Sequence, residues 1–552
     1  MRILKTFYIA VFVTAALTSC ISIHKIPVPA GIENAIRIPP KTNPLTTKER
    51  QTWGHADLVK DSIPGMSVSQ AYAFLKGKPS EEVIVAINDS GVDLNHEDLK
   101  DVLWTNPKEI PENGIDDDKN GYTDDLHGWN FLGAIYDENL EITRLIKMKS
   151  VKFEGKTAEQ IAESDKEAYT SYLKMKEEFD EKLGDASNSK NSYNFYYDLY
   201  ESAHVAMIKG TGKENYKLED VLAIETEEEM LTKQKEMTLK VLQTGTSYTA
   251  EMEQVKKGIA HFNSQVDSHY NLDFHPRDLL ADDANDFSTK FYGDNNPNNR
   301  QDDEIHGTHV AGIVLASQNN GKGVAGVAKN VKLMAVRCVP NGDEYDKDVA
   351  LGFRYAVDNG AKVINTSFGK SYSPHAAWVY EAIKYAEKHD VLIVNAAGND
   401  AENIDVKASY PNDTPDLIDE ISDNMITVGA MSSNYDEQLL ASFSNYGKSN
   451  VDVFAPGVKI YAPVPNNGYQ FLSGTSMAAP STAGVAALLR SYYPKLSAAQ
   501  VKHILMNSGT KIDFKVRKPG SEDLVSLDEL CVSGRIVNAL NAVKMAAEMV
   551  QK

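Results

Sequence analysis

The chain has 552 residues, of which 42% are hydrophobic, so it is long enough for more than one domain and can bury a sizeable core. Its formal net charge of −21 argues against a nucleic-acid partner, because nucleic acids are bound through basic patches. No stretch of the sequence is both long enough and apolar enough to span a membrane.

The first residues have the pattern of an export signal. Two basic residues precede an apolar run at 9–17, which is too short to cross a bilayer. The tetrapeptide Leu-Thr-Ser-Cys then ends at Cys20 and resembles a bacterial lipobox, in which the cysteine becomes the lipidated first residue of the mature protein. We therefore expect residues 1–20 to be a lipoprotein signal peptide and the protein to be exported and lipid-anchored in the cell envelope. An ordinary secretory peptide is the alternative.

Two segments lead from this signal to the first candidate site. Residues 21–50 are rich in proline and polar residues, which indicates a tether. Residues 51–137 are expected to begin the folded domain, with a buried strand at 83–87 and Asp89 at its end, before a Ser-Gly turn. Asp89 is a candidate functional residue, because sites in open α/β sheets form at the carboxyl ends of strands.

The segment 113–131 is a candidate calcium loop. Its oxygen-bearing residues alternate as they do at the start of an EF-hand loop, because a hard cation requires several oxygen ligands from one tight turn. Histidine replaces the glutamate of the twelfth position, and a nearby aspartate could substitute for it. The predicted calcium ligands are Asp116, Asp118, Asn120, Tyr122 through its carbonyl, and Asp125. The alternative is an acidic turn that stays in solvent.

A long charged segment at 138–272 follows this loop. It is rich in glutamate and lysine, is nearly free of proline, and has apolar residues at helical spacing. These features predict three to five amphipathic helices, with a break at the Gly/Asn-rich stretch 184–192. We expect a helical insertion with one of two roles. It is a solvated decoration, or it is a functional module, namely a lid, a substitute inhibitor or a docking module for a protein partner.

Residues 273–552 are expected to complete the same domain, because the region after 330 alternates short apolar strands with helices, as a doubly wound parallel sheet does. The sequence His-Gly-Thr-His at 306–309 predicts the start of a helix, and spacing alone does not separate its two histidines as candidate bases. Asn399 ends a further apolar strand segment. Ser476 begins a helix of small residues, where its hydroxyl lies near free backbone N–H groups.

Four motifs in this order resemble those of subtilisin-like serine proteases, the subtilases. They are Asp-Ser-Gly at 89–91, His-Gly-Thr-His at 306–309, Ala-Ala-Gly-Asn at 396–399 and Gly-Thr-Ser-Met-Ala at 474–478. The resemblance implies an α/β fold with a doubly wound parallel sheet, here with a large helical insertion between the catalytic aspartate and histidine. It also implies catalytic roles for four residues, namely Asp89, His306 and Ser476 as a triad and Asn399 as the oxyanion-hole donor.

The resemblance further implies a substrate site and an activity. The residues expected to contact an extended peptide are Ser367, Phe368 and Gly369 on a strand, with Ala396, Ala397 and Gly398 as one wall of a pocket. The expected function is a serine endopeptidase that acts on polypeptides, needs no cofactor for catalysis and carries structural calcium. The alternative is a catalytically silent binding or scaffold protein on the same core, with the insertion as its partner site. The intact motif residues argue against that alternative.

Overall fold

The computed structural model of the chain describes residue 32, residues 34–318 and residues 320–550. The predicted signal peptide with Cys20, and residues 21–31 and 33 of the predicted tether, lie outside the described residues. No helix in the described part of the chain has the length and apolar character needed to cross a membrane.

The described strands form one large sheet and two small hairpins. In chain order they are β1 (Val83–Asp89), β2 (Gly128–Asn130), β3 (Val331–Arg337), β4 (Val363–Thr366), β5 (Leu392–Ala396), β6 (Met425–Met431), β7 (Val453–Pro456), β8 (Ile460–Val464), β9 (Gly468–Leu472), β10 (Thr510–Lys511), β11 (Val516–Arg517), β12 (Leu524–Val525) and β13 (Arg535–Ile536). The large sheet has the order β10-β13-β7-β6-β5-β4-β1-β3-β2. All its neighbouring strands are parallel except β10 and β13, so the predicted doubly wound parallel sheet is confirmed.

Helices cover both faces of this sheet. Outside the insertion they are α1 (Thr47–Thr52), α2 (Leu58–Asp61), α3 (Val68–Phe74), α9 (His306–Leu315), α10 (Asp346–Asp358), α11 (Ala376–Lys388), α12 (Thr475–Tyr492), α13 (Ala498–Ser508) and α14 (Ala539–Val550). Strands covered on both faces need apolar residues on both sides, which explains their near-continuous apolar runs. In β1, for example, Val85 and Ile87 pack with residues of α9 and α12, whereas Ala86 packs with residues of α10 and α11.

Helix α12 lies in the centre of one of these layers and carries Ser476 near its start. It can pack closely because of Gly484, where an added Cβ would lie 2.5 Å from Cβ of Val327. The position of Ser476 at the edge of the sheet is therefore set by close packing of a helix made mostly of small residues.

Between β2 and α9 the chain forms five further helices. They are α4 (Glu141–Phe153), α5 (Lys166–Thr211), α6 (Leu218–Leu222), α7 (Glu229–Gln243) and α8 (Tyr248–Ser264). We call the segment 138–272 that contains them the insertion. One apolar cluster joins α4 to the first half of α5, and a second joins the last part of α5 to α6, α7 and α8.

The expected helix break at 184–192 is wrong, because α5 runs through that stretch without interruption for 46 residues. A glycine in a helix interior costs only about 1 kcal/mol relative to alanine. That cost is offset by packing on either side of Gly184, since Phe179 and Ala186 are both buried in the cluster shared with α4.

Candidate functional site

The carboxyl ends of three neighbouring strands bring the motif residues together. Strand β1 ends at Asp89, β4 leads into 367–369, and β5 leads into Asn399. Helices α9 and α12 begin at the same edge, with His306 and Ser476 at their starts. The four motif residues therefore meet at one edge of the sheet, as the strand-end argument predicted.

Asp89 and His306 are directly hydrogen-bonded, with 2.7 Å between Asp89 Oδ1 and His306 Nδ1. The close approach requires Gly307, because a Cβ at that position would lie 2.2 Å from the backbone oxygen of Gly91. Burial alone would lower the pKa of His306, but the charge of the Asp89 carboxylate and its hydrogen bond outweigh burial. The pKa of His306 is therefore raised above its usual value of 6.5.

Sequence spacing could not distinguish His306 from His309 as the candidate base, but their contacts in the structure do. His309 is fully buried, and its Nε2 lies 3.1 Å and 3.0 Å from the backbone oxygens of Ile460 and Gln470. Burial lowers the pKa of His309 to about 4, so its ring is neutral and donates Nε2–H to these carbonyls. His309 is thus a buried residue bonded to backbone oxygens, whereas His306 is the histidine paired with Asp89.

Arg337, at the end of β3, fixes the segments around this pair. Its side chain is fully buried and donates to the backbone oxygen of Ser90 at 3.0 Å and of Ile135 at 2.8 Å. It also forms an ion pair with Glu304, two residues before His306, at 2.6 Å. One guanidinium group therefore connects three segments: the turn after Asp89, the residues just before the insertion, and the residues just before α9.

Ser476 and Asn399 face the same cavity with different groups. The Ser476 hydroxyl donates to the backbone oxygen of Ser367 at 3.0 Å, and no hydrogen bond joins Ser476 to His306 within the described residues. Asn399 Oδ1 accepts hydrogen bonds from the Thr475 N–H at 2.9 Å and the Thr475 hydroxyl at 3.0 Å. Because its oxygen is held in this way, Asn399 offers its amide N–H groups to a bound molecule.

A cavity of about 290 Å³ opens at Ser476. Four of the predicted substrate-contacting residues line it, namely Phe368, Gly369, Ala396 and Gly398. Ala397 does not, because it is buried and its backbone groups bond to Val428 and Asn445. Ser367 is joined to Ser476 by two hydrogen bonds instead, at 3.0 Å and 2.9 Å.

Sequence reasoning missed the rest of the cavity lining. One missed group follows β5 and includes Asp400, Glu402 and Ser409. A second missed group comes from the insertion and comprises Leu140, Ile142, Glu178, Lys182 and Tyr270. No local motif marks these residues, because their place at the cavity depends on how the insertion packs on the domain.

The acidic loop is only partly arranged as predicted for calcium. Asp116 and Asp118 lie together with Glu109, and one carboxylate oxygen from each of the three falls within 4.8 Å of the others. Glu109 precedes the predicted segment, although it is an acidic residue directly ahead of the loop. Three carboxylates at this separation fit a hard divalent cation, which prefers several oxygen ligands. The protein cation paired with this group is Lys108, which is largely exposed and lies 3.8 Å from Asp118.

Asp125 lies outside this carboxylate group, and the predicted ligands Asn120 and Tyr122 carry amide and backbone oxygens instead of carboxylates. Asp125 accepts hydrogen bonds from the Tyr355 hydroxyl at 2.7 Å and from Asn106 at 2.8 Å. The side chain of Asn120 donates to Asp125, and the ring of Tyr122 is buried among aromatic residues. Asp125 and Asn120 therefore shape the loop from within, through contacts to its own residues and to α10.

The chain matches the Subtilase family over residues 80–524. It is 45% identical over 188 residues to the thermophilic serine proteinase of Bacillus sp. (strain AK1) and 39% identical over 248 residues to the cell wall-associated protease of Bacillus subtilis (strain 168). These matches cover 34% and 45% of this chain but only 42% and 26% of the two relatives. Subtilisin DY of Bacillus licheniformis is 39% identical over 213 residues, which are 38% of this chain and 71% of that protein. With its motif residues gathered at one sheet edge and the family match extending over most of its length, the chain belongs to the subtilase family.

Proposed function

We propose that the protein is a serine endopeptidase that hydrolyses peptide bonds in polypeptides. The observation that carries this proposal is the Asp89–His306 hydrogen bond at the sheet edge where Ser476 and Asn399 line a cavity. Family membership and the protease names of the relatives support it. The whole insertion lies between Asp89 and His306 in the sequence, yet these two side chains are hydrogen-bonded.

Each residue has a role that follows from its contacts. Asp89 accepts Nδ1–H of His306, which leaves Nε2 of the neutral ring free to accept a proton. The Ser476 hydroxyl attacks the substrate carbonyl, its proton passes to His306 Nε2, and the same proton then goes to the leaving amine. Water hydrolyses the acyl-enzyme in a second round of the same steps.

Asn399 stabilises the negative charge that develops on the substrate oxygen. Its Oδ1 is held by Thr475, so its Nδ2–H groups are available to the oxyanion, together with the backbone N–H of Ser476. One such donor contributes about 3–4 kcal/mol to transition-state stabilisation. The catalytic steps use protein groups and water.

A catalytically silent binding protein is the alternative. It would not require the paired Asp89 and His306, the raised pKa of His306 or an asparagine amide directed into the cavity. We therefore favour hydrolysis over binding alone.

We expect Ser476→Ala and His306→Ala each to lower the rate of peptide hydrolysis by about 10⁴-fold or more, because triad members act as a unit. A fluorophosphonate probe should label the wild-type protein and should not label Ser476→Ala. His309→Ala is the matched control. It should lower the melting temperature, because it removes a buried ring, yet the folded fraction should still hydrolyse peptides.

Equal labelling of wild type and Ser476→Ala would contradict Ser476 as the nucleophile. A His306→Ala variant that stays active while folded His309→Ala is inactive would show that the base has been assigned to the wrong histidine.

We propose that the loop 109–118 binds a structural calcium ion through Glu109, Asp116 and Asp118. The support is their mutual proximity, since three carboxylates repel one another unless a cation neutralises them. Structural calcium is common among subtilases. The two oxygens of Asp116 also accept the N–H groups of Asn120 and Gly121, so a bound ion would stabilise the turn itself.

Calcium at about 100 times its dissociation constant should stabilise the wild-type fold by about 2.7 kcal/mol and raise the melting temperature. A chelator should reverse the shift. Asp116→Asn combined with Asp118→Asn should remove most of the response, whereas Glu112→Gln, which removes one charge from an exposed residue of the same loop, should keep it. A wild-type melting temperature that changes with neither calcium nor chelator would contradict the calcium site and show that the loop is an acidic turn.

We also propose that Cys20 carries a lipid that anchors the exported protein to a membrane of the cell envelope. The support is the Leu-Thr-Ser-Cys sequence after a short apolar run. A fatty-acid analogue supplied to expressing cells should label the wild type and not Cys20→Ser, and the variant should leave the membrane fraction. An unlabelled, fully soluble wild-type protein would refute the anchor.

A further inference from the structure

The insertion contributes one wall of the cavity that contains Ser476. Helix α5 supplies Glu178 and Lys182, while the start of α4 and the segment after α8 supply Ile142 and Tyr270. The opposite wall is formed by the segments that follow β4 and β5. A peptide bound in this cavity would therefore lie between the domain and the insertion.

Two sets of polar contacts fix this wall to the segment 367–372. The Tyr372 hydroxyl donates to Glu178 Oε2 at 2.8 Å. Lys370 is buried and pairs with Glu141 of α4 at 2.8 Å and with Asp346 of α10 at 2.9 Å. A buried ion pair is costly to break from one side, because the remaining charge is left uncompensated. The wall is thus held in a defined position by the strand segment along which a peptide would bind.

The backbone of this segment sets where a peptide would lie. Neither the N–H nor the C=O of Gly369 has a hydrogen-bond partner among the described residues, so an extended peptide can pair with it. The segment runs away from Ser476, from Ser367 to Tyr372, and the acyl side of a substrate would run antiparallel to it. Tyr372 lies five residues after Ser367, a reach of at most about 17 Å, so the wall meets the substrate up to about five residues before the cleaved bond.

The charged residues that the insertion places at this wall are Glu178 and Lys182. Glu178 is partly exposed, and its nearest cation is Lys182 at 3.7 Å, whose side chain is 54% exposed. Such a surface pair is weak and leaves Glu178 able to attract another cation. Lys370 does not supply one, since its charge is used by Glu141 and Asp346. The net charge of −21 adds a general attraction for cationic substrates.

We propose that α5 is a specificity-determining wall of the substrate cleft, and that Glu178 favours peptides with lysine or arginine about four or five residues before the cleaved bond. This inference rests on the proposed peptidase function and names the substrate class that the insertion selects. Glu178 acts here as a specificity residue and takes no part in bond breaking.

The test begins with a mixed peptide library, in which mass spectrometry identifies a bond that the wild type cuts and Ser476→Ala does not. Three peptides are then made around that bond, with lysine, glutamine or glutamate at the fourth and fifth positions before it. We expect kcat/KM to be highest for lysine and lowest for glutamate, with about a threefold to tenfold range at low salt. The range should shrink at high salt, because screening weakens exposed charge pairs.

Glu178→Gln should reduce the lysine-to-glutamate ratio to near one. Glu177→Gln is the matched control, because it makes the same charge change one residue away on the same helix at an exposed position outside the cavity lining. It should keep the wild-type ratio. Tyr372→Phe removes the hydrogen bond that positions Glu178 and should reduce the ratio partway.

A ratio near one in the wild type, or an equal loss of the ratio in Glu178→Gln and Glu177→Gln, would overturn the inference while leaving peptide hydrolysis intact. A library in which the wild type cuts nothing beyond the Ser476→Ala background would instead overturn the proposed function and this inference together.

Discussion

The hydrogen bond between Asp89 and His306 joins two residues that are 217 positions apart, and the rest of the site depends on it. The two segments can meet because the stems of the intervening chain are held together. Asn130, at the end of β2, and Asp294 exchange two backbone hydrogen bonds of 2.9 Å, and the Asn130 side chain adds a third to Asp294 at 2.8 Å. The chain segments before and after the insertion are therefore held together, which allows Asp89 and His306 to meet despite the long segment between them.

Polar groups buried beside this edge set its geometry. Arg337 links the turn after Asp89 to Glu304 just ahead of His306, and Lys370 links the substrate-side segment to the insertion at Glu141. Each buried cation is paired with a carboxylate and also donates to backbone oxygens, which is the condition under which buried charges are tolerated. The same kind of contact thus positions the proposed catalytic pair and attaches the insertion to the cleft.

Local sequence patterns predicted the parts of the site that lie at strand ends and helix starts. Asp89 and Asn399 follow apolar runs that form strands covered on both faces, whereas His306 and Ser476 stand at the starts of apolar helices packed on the sheet. Spacing did not separate His306 from His309, because both lie on the buried helix α9 and only tertiary contacts distinguish them. The helix through Gly184, the contribution of Glu109 and the wall at Glu178 all depend on packing between distant segments, which no local pattern records.

The most direct test of this account is an NMR titration of His306 in a Ser476→Ala background, which prevents self-cleavage, with and without Asp89→Asn. In the parent the pKa of His306 should lie above 6.5, because the charge of Asp89 and its hydrogen bond outweigh burial. In Asp89→Asn burial remains and the charge is gone, so the pKa of His306 should fall below that of the parent, while the pKa of His309 stays at about 4 in both proteins. An unchanged His306 pKa in the two proteins would contradict the pairing on which the proposed function rests.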